Sequence, residues 1–275
     1  MTAWRTIDIE AGVGRFVHAS NGFPQYAYGL LQAAFLAGAL NQPAVSALEL
    51  GVAGGNGLME LERLAARIGA EGAPQIDVTG FDLGSGMPTP VDHRDLPWMW
   101  SAGFFKMDEE LLRSNLRTAR LVIGDIAETG PRFLAGEPAP IGFISFDLDY
   151  YSSTTAAFAA LLDAPADRFL PRVLCYFDDT VGPHEELHCE FSGELLAIAE
   201  FNSAHPNRKI AKVNGLRPKM PEITDAWVEG IYVLHLFDHP QYNSYVHPER
   251  DRQFPLTAHL DGPPAEKLNG TGGTP

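Results

Sequence analysis

Ala47-Leu48-Glu49-Leu50-Gly51-Val52-Ala53-Gly54-Gly55-Asn56-Gly57 is the stretch that decides the fold. An apolar run ends in an acid and passes into four glycines. From Leu58 to Ile68, apolar residues Leu61, Leu64, Ala65 and Ile68 then recur at helical spacing. This order predicts a strand, a tight turn and a helix. Glycines in such a turn let the backbone pass close to a ligand, and the amides of the first helical turn face whatever is bound there.

Two kinds of turn fit this outline. A dinucleotide turn requires G-x-G-x-x-G, whose third glycine permits close helix packing, but the residue at that position here is Glu60. The E-x-G-x-x-x-G-x-G run from Glu49 to Gly57 instead resembles motif I of class I S-adenosylmethionine (SAM) methyltransferases. A second predicted strand, Ile76-Asp77-Val78-Thr79-Gly80-Phe81-Asp82, ends in an acid about 25 residues beyond the glycines. Asp82 is thereby placed to bind ribose hydroxyls. The competing reading is a plain strand–helix turn beside a surface aspartate.

Composition narrows the class. At 275 residues the chain suits one large α/β domain or two small ones, and 45% hydrophobic residues suffice for a full core. A net charge of −15 disfavours nucleic acid, whose binding depends on Lys and Arg neutralising phosphates. Two cysteines, Cys175 and Cys189, make no disulfide scaffold and point to a reducing compartment. Neither a secretory signal pattern nor an apolar run of about 18 residues is present, so the expectation is a cytoplasmic protein without a membrane span.

Strand-like and helix-like segments alternate, which implies a mostly parallel sheet covered on both faces. Strands are predicted over 45–50, 76–81, 119–123, 141–146, 172–177, 209–213 and 230–237, seven in all. Residues 1–42 form an N-terminal helical segment with Phe16, Phe23, Tyr26, Tyr28 and Phe35, read either as a cap over the pocket or as core. The main domain runs over 43–247, and the Pro-, Gly- and Thr-rich tail over 248–275 is predicted to be flexible.

Chemistry concentrates at two strand ends. Ile141-Gly-Phe-Ile-Ser-Phe146 releases Asp147 and Asp149, and Val173-Leu-Cys-Tyr-Phe177 releases Asp178 and Asp179. In a parallel sheet both ends open onto one crevice, where ligands bind. Four acids converging there repel one another unless a cation joins them, and oxygen-only ligands suit a hard ion such as Mg²⁺ or Mn²⁺. Read singly, Asp149 and Asp179 also fit helix caps or solvated loop acids.

The order of these motifs resembles the macrocin O-methyltransferase family of SAM-dependent, metal-assisted enzymes. The resemblance spans about residues 45 to 180 and rests on Glu49-Leu-Gly-Val-Ala-Gly-Gly55, Gly80-Phe-Asp-Leu-Gly-Ser-Gly-Met-Pro88, Gly124-Asp-Ile-Ala-Glu-Thr129, Phe146-Asp-Leu-Asp-Tyr-Tyr-Ser-Ser-Thr154 and Asp178-Asp179. It implies a class I fold with strand order 3-2-1-4-5-7-6 and Mg²⁺-assisted transfer of a methyl group to a hydroxyl of a sugar or other natural product. It also implies site residues. Glu49, Gly51, Gly54, Gly55 and Gly57 would serve the methionine end of SAM, Asp82 the ribose, and Asp125 or Ile126 the adenine. Asp147, Asp178 and Asp179 would bind the metal and Asp149 would act as base. A Tyr150-Tyr151 pair stands where a single Tyr after an aliphatic residue is usual, and the C-terminal third diverges. Trp98-Met-Trp-Ser-Ala-Gly-Phe-Phe105 is an aromatic insertion suited to closing over the donor.

One motif points elsewhere. His184-Glu185-Glu186-Leu187-His188 is a literal H-E-x-x-H, and on a helix started by Pro183 the two histidines would share a face as in zinc hydrolases. Within the methyltransferase reading, His184 belongs instead on the crevice rim as an acceptor contact or alternative base. A third reading keeps the fold as a catalytically silent SAM-binding protein. The expected partner is a small-molecule hydroxyl acceptor, without nucleic acid or membrane, and a homo-oligomer is compatible with the sequence.

Overall fold

The computed structural model describes residues 20, 22–219 and 226–247. Its centre is a seven-stranded sheet in the order β3-β2-β1-β4-β5-β7-β6, as the resemblance implies. The strands are β1 (Ala44–Leu50), β2 (Gln75–Asp82), β3 (Arg120–Ile123), β4 (Ile141–Phe146), β5 (Phe169–Phe177), β6 (Arg208–Lys212) and β7 (Ile231–Leu236). β7 runs antiparallel to both β5 and β6, while the other neighbours pair in parallel. β5 begins at Phe169 rather than 172 because Phe169 and Leu170, both buried, already pack into the core.

Burial follows strand position. β4 is buried at every residue of Ile141–Phe146, which is why it reads as a continuous apolar run. The edge strand β6 buries only Ile210 and carries Arg208, Lys209 and Lys212 around it, a composition that discourages further pairing.

Helices cover both faces. On one, α1 (Pro24–Ala39) and α2 (Asn56–Ala70) pack Tyr26, Leu30, Leu58, Leu61, Leu64 and Ile68 against Phe143 and Leu170. Gly29 of α1 lets the helix sit on the sheet, since a Cβ there would lie 2.2 Å from the Phe143 ring. A short α3 (Glu109–Asn115) adds Leu112 to this same core, and on the other face are α4 (Ile126–Ala135), α5 (Tyr151–Ala157, continuing as a π turn over Phe158–Leu162) and α6 (Gly193–Ala204). These last three enclose a second core in which Phe146 and Phe177 stack at 4.5 Å. A short α7 spans Leu216–Lys219.

α1 therefore belongs to the sheet's covering layer, and its Tyr26 and Tyr28 are core residues. Phe16 and the 248–275 tail lie outside the described residues. No helix among the described residues is long and apolar enough to cross a membrane.

Register lines up the strand ends. Leu50 pairs with Phe81 and Phe146, and Phe146 with Phe177. The residues that follow, Gly51, Asp82, Asp147 and Asp178, consequently stand in one row along the C-terminal edge. The chain order reverses between β1 and β4, which opens a crevice at that place in the row.

Candidate active site

The glycine turn is built by close approach. Gly51 sits at φ +87°, and a Cβ there would meet the Asp147 carbonyl oxygen at 1.8 Å. Gly55, at φ +83°, is the residue before α2 and is backed by the Leu112 side chain. A Cβ on Gly57 would lie 2.0 Å from Glu49 Oε1 and 2.9 Å from Tyr26 Oη. Gly54 differs from these three. It meets no atom within 4 Å and does not need positive φ.

Glu49 lies behind the turn, 2% exposed, with Tyr26 Oη donating to its Oε1 at 2.7 Å. Its Oε2 has no hydrogen-bond partner among the described residues. Burial pushes this carboxyl up to about 8; the Tyr26 hydrogen bond opposes the rise and nearby Asp82 adds to it. Asp82 holds the turn from the front. Its Oδ2 accepts from the amides of Val52 and Ala53, each at 2.9 Å, and its Oδ1 from Gly84 at 2.5 Å. Asp125 caps α4 by accepting from Ala127 N at 2.9 Å.

Beyond β4 and β5 lies the carboxylate cluster. Asp147, Asp149 and Asp179 each offer an oxygen within 4.8 Å of the others. Asp149 adopts φ +56°, unusual for a residue with a side chain, and its amide donates to Asp179 Oδ2 at 2.8 Å. Burial, then Asp178 and Glu186, push Asp149 up to about 7. Burial and neighbouring carboxylates hold Asp147, Asp179 and Glu194 well above the carboxylate range. Glu194 is fully buried beneath the cluster, accepting from Asp179 N at 3.2 Å and leaving Oε1 without a partner among the described residues.

These groups border one cavity of about 650 Å³. Of the residues expected from sequence, Gly51, Asp82, Asp125, Ile126, Asp147, Asp149, Asp178 and Asp179 line it. Glu49, Gly54, Gly55 and Gly57 do not: they shape the turn or lie behind it. Trp100 and Phe105, from the long β2–α3 connection, form the opposite wall, with rings 5.6 Å apart. The Trp100 indole N–H is buried there without a partner among the described residues.

One expectation requires correction. Residues 184–186 form a turn in an irregular segment rather than a helix, and Leu187 takes φ +55°. The two histidines therefore cannot share a helix face. The His184 side chain is 92% exposed beside Glu185 and is not on the cavity wall, whereas the His188 side chain is buried against Glu186 at 2.6 Å. Asp178 lines the same cavity, where the Tyr176 hydroxyl donates to its Oδ1 at 2.6 Å, and the tightest group of carboxylates is Asp147, Asp149 and Asp179.

Sequence reasoning missed three acids. Glu194 opens α6 with no local signal of its depth, and Glu186 was hidden inside the His-rich motif. Asp95 is fully buried and accepts from Ser152 N, Ser152 Oγ and Val91 N, each at 2.8 Å. It ties the β2–α3 connection to the start of α5, next to the cluster. A short H-R-D turn carries no mark of that reach.

No family model matches the chain, and no curated protein does. Solved structures resemble it at low identity. CalS11, calicheamicin methyltransferase, is 21% identical with a TM-score of 0.49, covering 83% of this chain and 91% of that one. The O-methyltransferase NovP is 14% identical with a TM-score of 0.49, covering 84% and 79%. MycE, a methyltransferase from the mycinamycin biosynthetic pathway in complex with Mg, SAH and mycinamycin VI, is 15% identical with a TM-score of 0.42, covering 83% and 54%. Likeness at this level says nothing of chemistry, which has to come from the geometry.

Proposed function

We propose that this protein is a SAM-dependent O-methyltransferase acting on a hydroxyl of a small-molecule acceptor, a sugar or other natural product, with Mg²⁺ or Mn²⁺ assisting. The observation that carries the proposal is the opening of the glycine turn, Asp82 and Asp125 onto the same 650 Å³ cavity as the carboxylate cluster. A volume of that size suits small-molecule ligands.

The residues fit both groups. For SAM, Gly51 permits close backbone approach, Asp82 and Asp125 offer acceptor oxygens, Ile126 offers an apolar face, and the Trp100 N–H is a donor without a partner among the described residues. For the ion, the cluster is all oxygen, the donor set of a hard divalent cation. Asp147 and Asp179 are common to the geometric group and to the set implied by resemblance, and they would hold it. Asp178, whose Oδ1 accepts from the Tyr176 hydroxyl, would join them if that hydrogen bond were given up. A cation there would offset the carboxylate repulsion and favour ionisation of an adjacent acceptor hydroxyl.

Asp149 is then the base. It lines the cavity, and the hydrogen bond that its backbone N–H donates to Asp179 Oδ2 fixes a strained backbone that aims it. In the transfer, the acceptor oxygen bonds to the methyl carbon as the carbon–sulfur bond breaks. The hydroxyl proton passes to Asp149, and the sulfonium becomes a neutral thioether. Trp100 and Phe105 keep water from the reacting atoms.

Isothermal titration with SAM, followed by methyl transfer from labelled SAM to a panel of hydroxylated acceptors with and without EDTA, tests the proposal. SAM should bind, and EDTA should abolish transfer. Absence of SAM binding refutes the donor assignment; EDTA-insensitive transfer removes the metal; SAM binding with no transfer to any acceptor favours the silent binding protein.

A further inference from the structure

Glu186 lines the cavity yet is only 8% exposed, and its Oε2 lies 2.6 Å from His188 Nε2. Gly182 folds over the pair, since a Cβ there would meet Glu186 Oε2 at 2.2 Å and His188 Nε2 at 2.9 Å. Oε1 takes no hydrogen bond from a described residue. The other cavity acids have tasks already. Asp82 holds the glycine turn, Asp125 caps α4, Asp178 accepts from Tyr176, and Asp147, Asp149 and Asp179 form the cluster. Among the described residues that line the cavity there is no Lys, Arg or His.

We infer that Glu186, aimed by His188, selects an acceptor bearing a protonated amine over one bearing phosphate or carboxylate. This rests on the methyltransferase reading and names the acceptor class of the same site. A carboxylate in a low-dielectric wall attracts an ammonium more strongly than it would in water, and it repels an anion by the same physics. An anionic group placed beside Glu186 would lose its hydration there and meet no lining Lys, Arg or His among the described residues. His188 is a positioning residue. It holds Oε2, which leaves Oε1 without a hydrogen bond from a described residue, and the Gly182 backbone packs close over the pair.

Three probes that share one ortho-diol and differ in charge test the inference: dopamine, catechol and 3,4-dihydroxybenzoate. Each is titrated into protein supplied with S-adenosylhomocysteine and Mg²⁺. Dopamine should bind at least about tenfold more tightly than 3,4-dihydroxybenzoate, with catechol between them. Glu186→Gln should bring the three within about threefold while affinity for S-adenosylhomocysteine stays unchanged. His188→Ala should narrow the gap in part, and His188→Gln, which keeps a donor, should restore it. If Glu186→Gln fails to fold, the His188 pair decides alone. Equal binding of the three probes by the unsubstituted protein, preference for the anion, failure of dopamine to bind, or a gap untouched by these substitutions overturns the inference. Failure of S-adenosylhomocysteine itself to bind is seen before any probe is added; it refutes the underlying reading and takes this inference with it.

Discussion

Replacing Glu49 by Gln should make the protein more stable at alkaline pH and leave it little changed at acid pH. The carboxyl titrates near 4.5 when unfolded and near 8 in the folded protein, chiefly because it is buried. A raised carboxyl means that the folded state holds the proton more tightly. Stability from this group is thus full below about 4.5 and is lost as pH rises to about 8. At about 1.4 kcal/mol per pH unit, the loss reaches about 3 kcal/mol at pH 7 and about 5 kcal/mol above pH 8. The amide introduced by Glu49→Gln would still accept from Tyr26 Oη and does not titrate. The stability difference between variant and parent should therefore climb from about 1 kcal/mol or less at pH 5 to a plateau above pH 8. Urea unfolding at unit pH intervals from 5 to 9, followed by tryptophan fluorescence without divalent cations, measures it. The other raised acids are present in both proteins, so the subtraction reports Glu49 together with its repulsion of Asp82 and Asp147. A difference that stays constant between pH 5 and 8 would refute the reasoning.

Gly57→Ala should lower stability by about 2 kcal/mol or more, the scale of overpacking, whereas Gly54→Ala should change it by less than about 0.5 kcal/mol; equal melting temperatures for the two variants would contradict the close approach of Gly57 to Glu49. Asp82→Ala strands three backbone amides and should weaken SAM binding at least roughly tenfold in calorimetry; a folded variant with unchanged affinity removes Asp82 from the donor site. Asp149→Asn should lower turnover roughly 10²- to 10⁴-fold at saturating Mg²⁺, while Asp178→Asn should mainly raise the Mg²⁺ concentration required. Identical metal titrations of those two variants would refute the division of roles. His184→Ala should leave methyl transfer intact and the purified protein should contain less than stoichiometric zinc; stoichiometric zinc lost on that substitution would revive the hydrolase reading.

What was legible in the sequence was whatever local pattern determines. The run 47–57 and the buried strands were readable because parallel strands are apolar throughout and glycines mark the turn between strand and helix. Asp147, Asp149, Asp178 and Asp179 were readable because strand ends in a parallel sheet share one crevice. Long-range partners were not. Nothing near Glu194 announces that a helix begins beneath the cluster, and Asp95 meets Ser152 only once the sheet brings residues 57 positions apart together. His184 misled because H-E-x-x-H has metal geometry only on a helix. Pro183 does not start one here, and buried His188 pairs with Glu186, two residues away, instead of with His184.

The placement of the acids also separates stability from function. Tyr150, Phe146 and Phe177 are fully buried beside the cluster, so the residues that carry Asp147, Asp149 and Asp178 are anchored by apolar packing, not by the carboxylates. That anchoring keeps the strand ends in register while Asp147, Asp179 and Glu194, held well above the ordinary range, oppose folding as they ionise. A site of this kind gains from a cation twice. A bound ion would favour the folded state by mass action, and it would favour the ionised carboxylates that the proposed chemistry requires. Glu186 takes part in that balance, since its charge helps hold Asp149 and Asp179 up while its Oε2 pairs with His188.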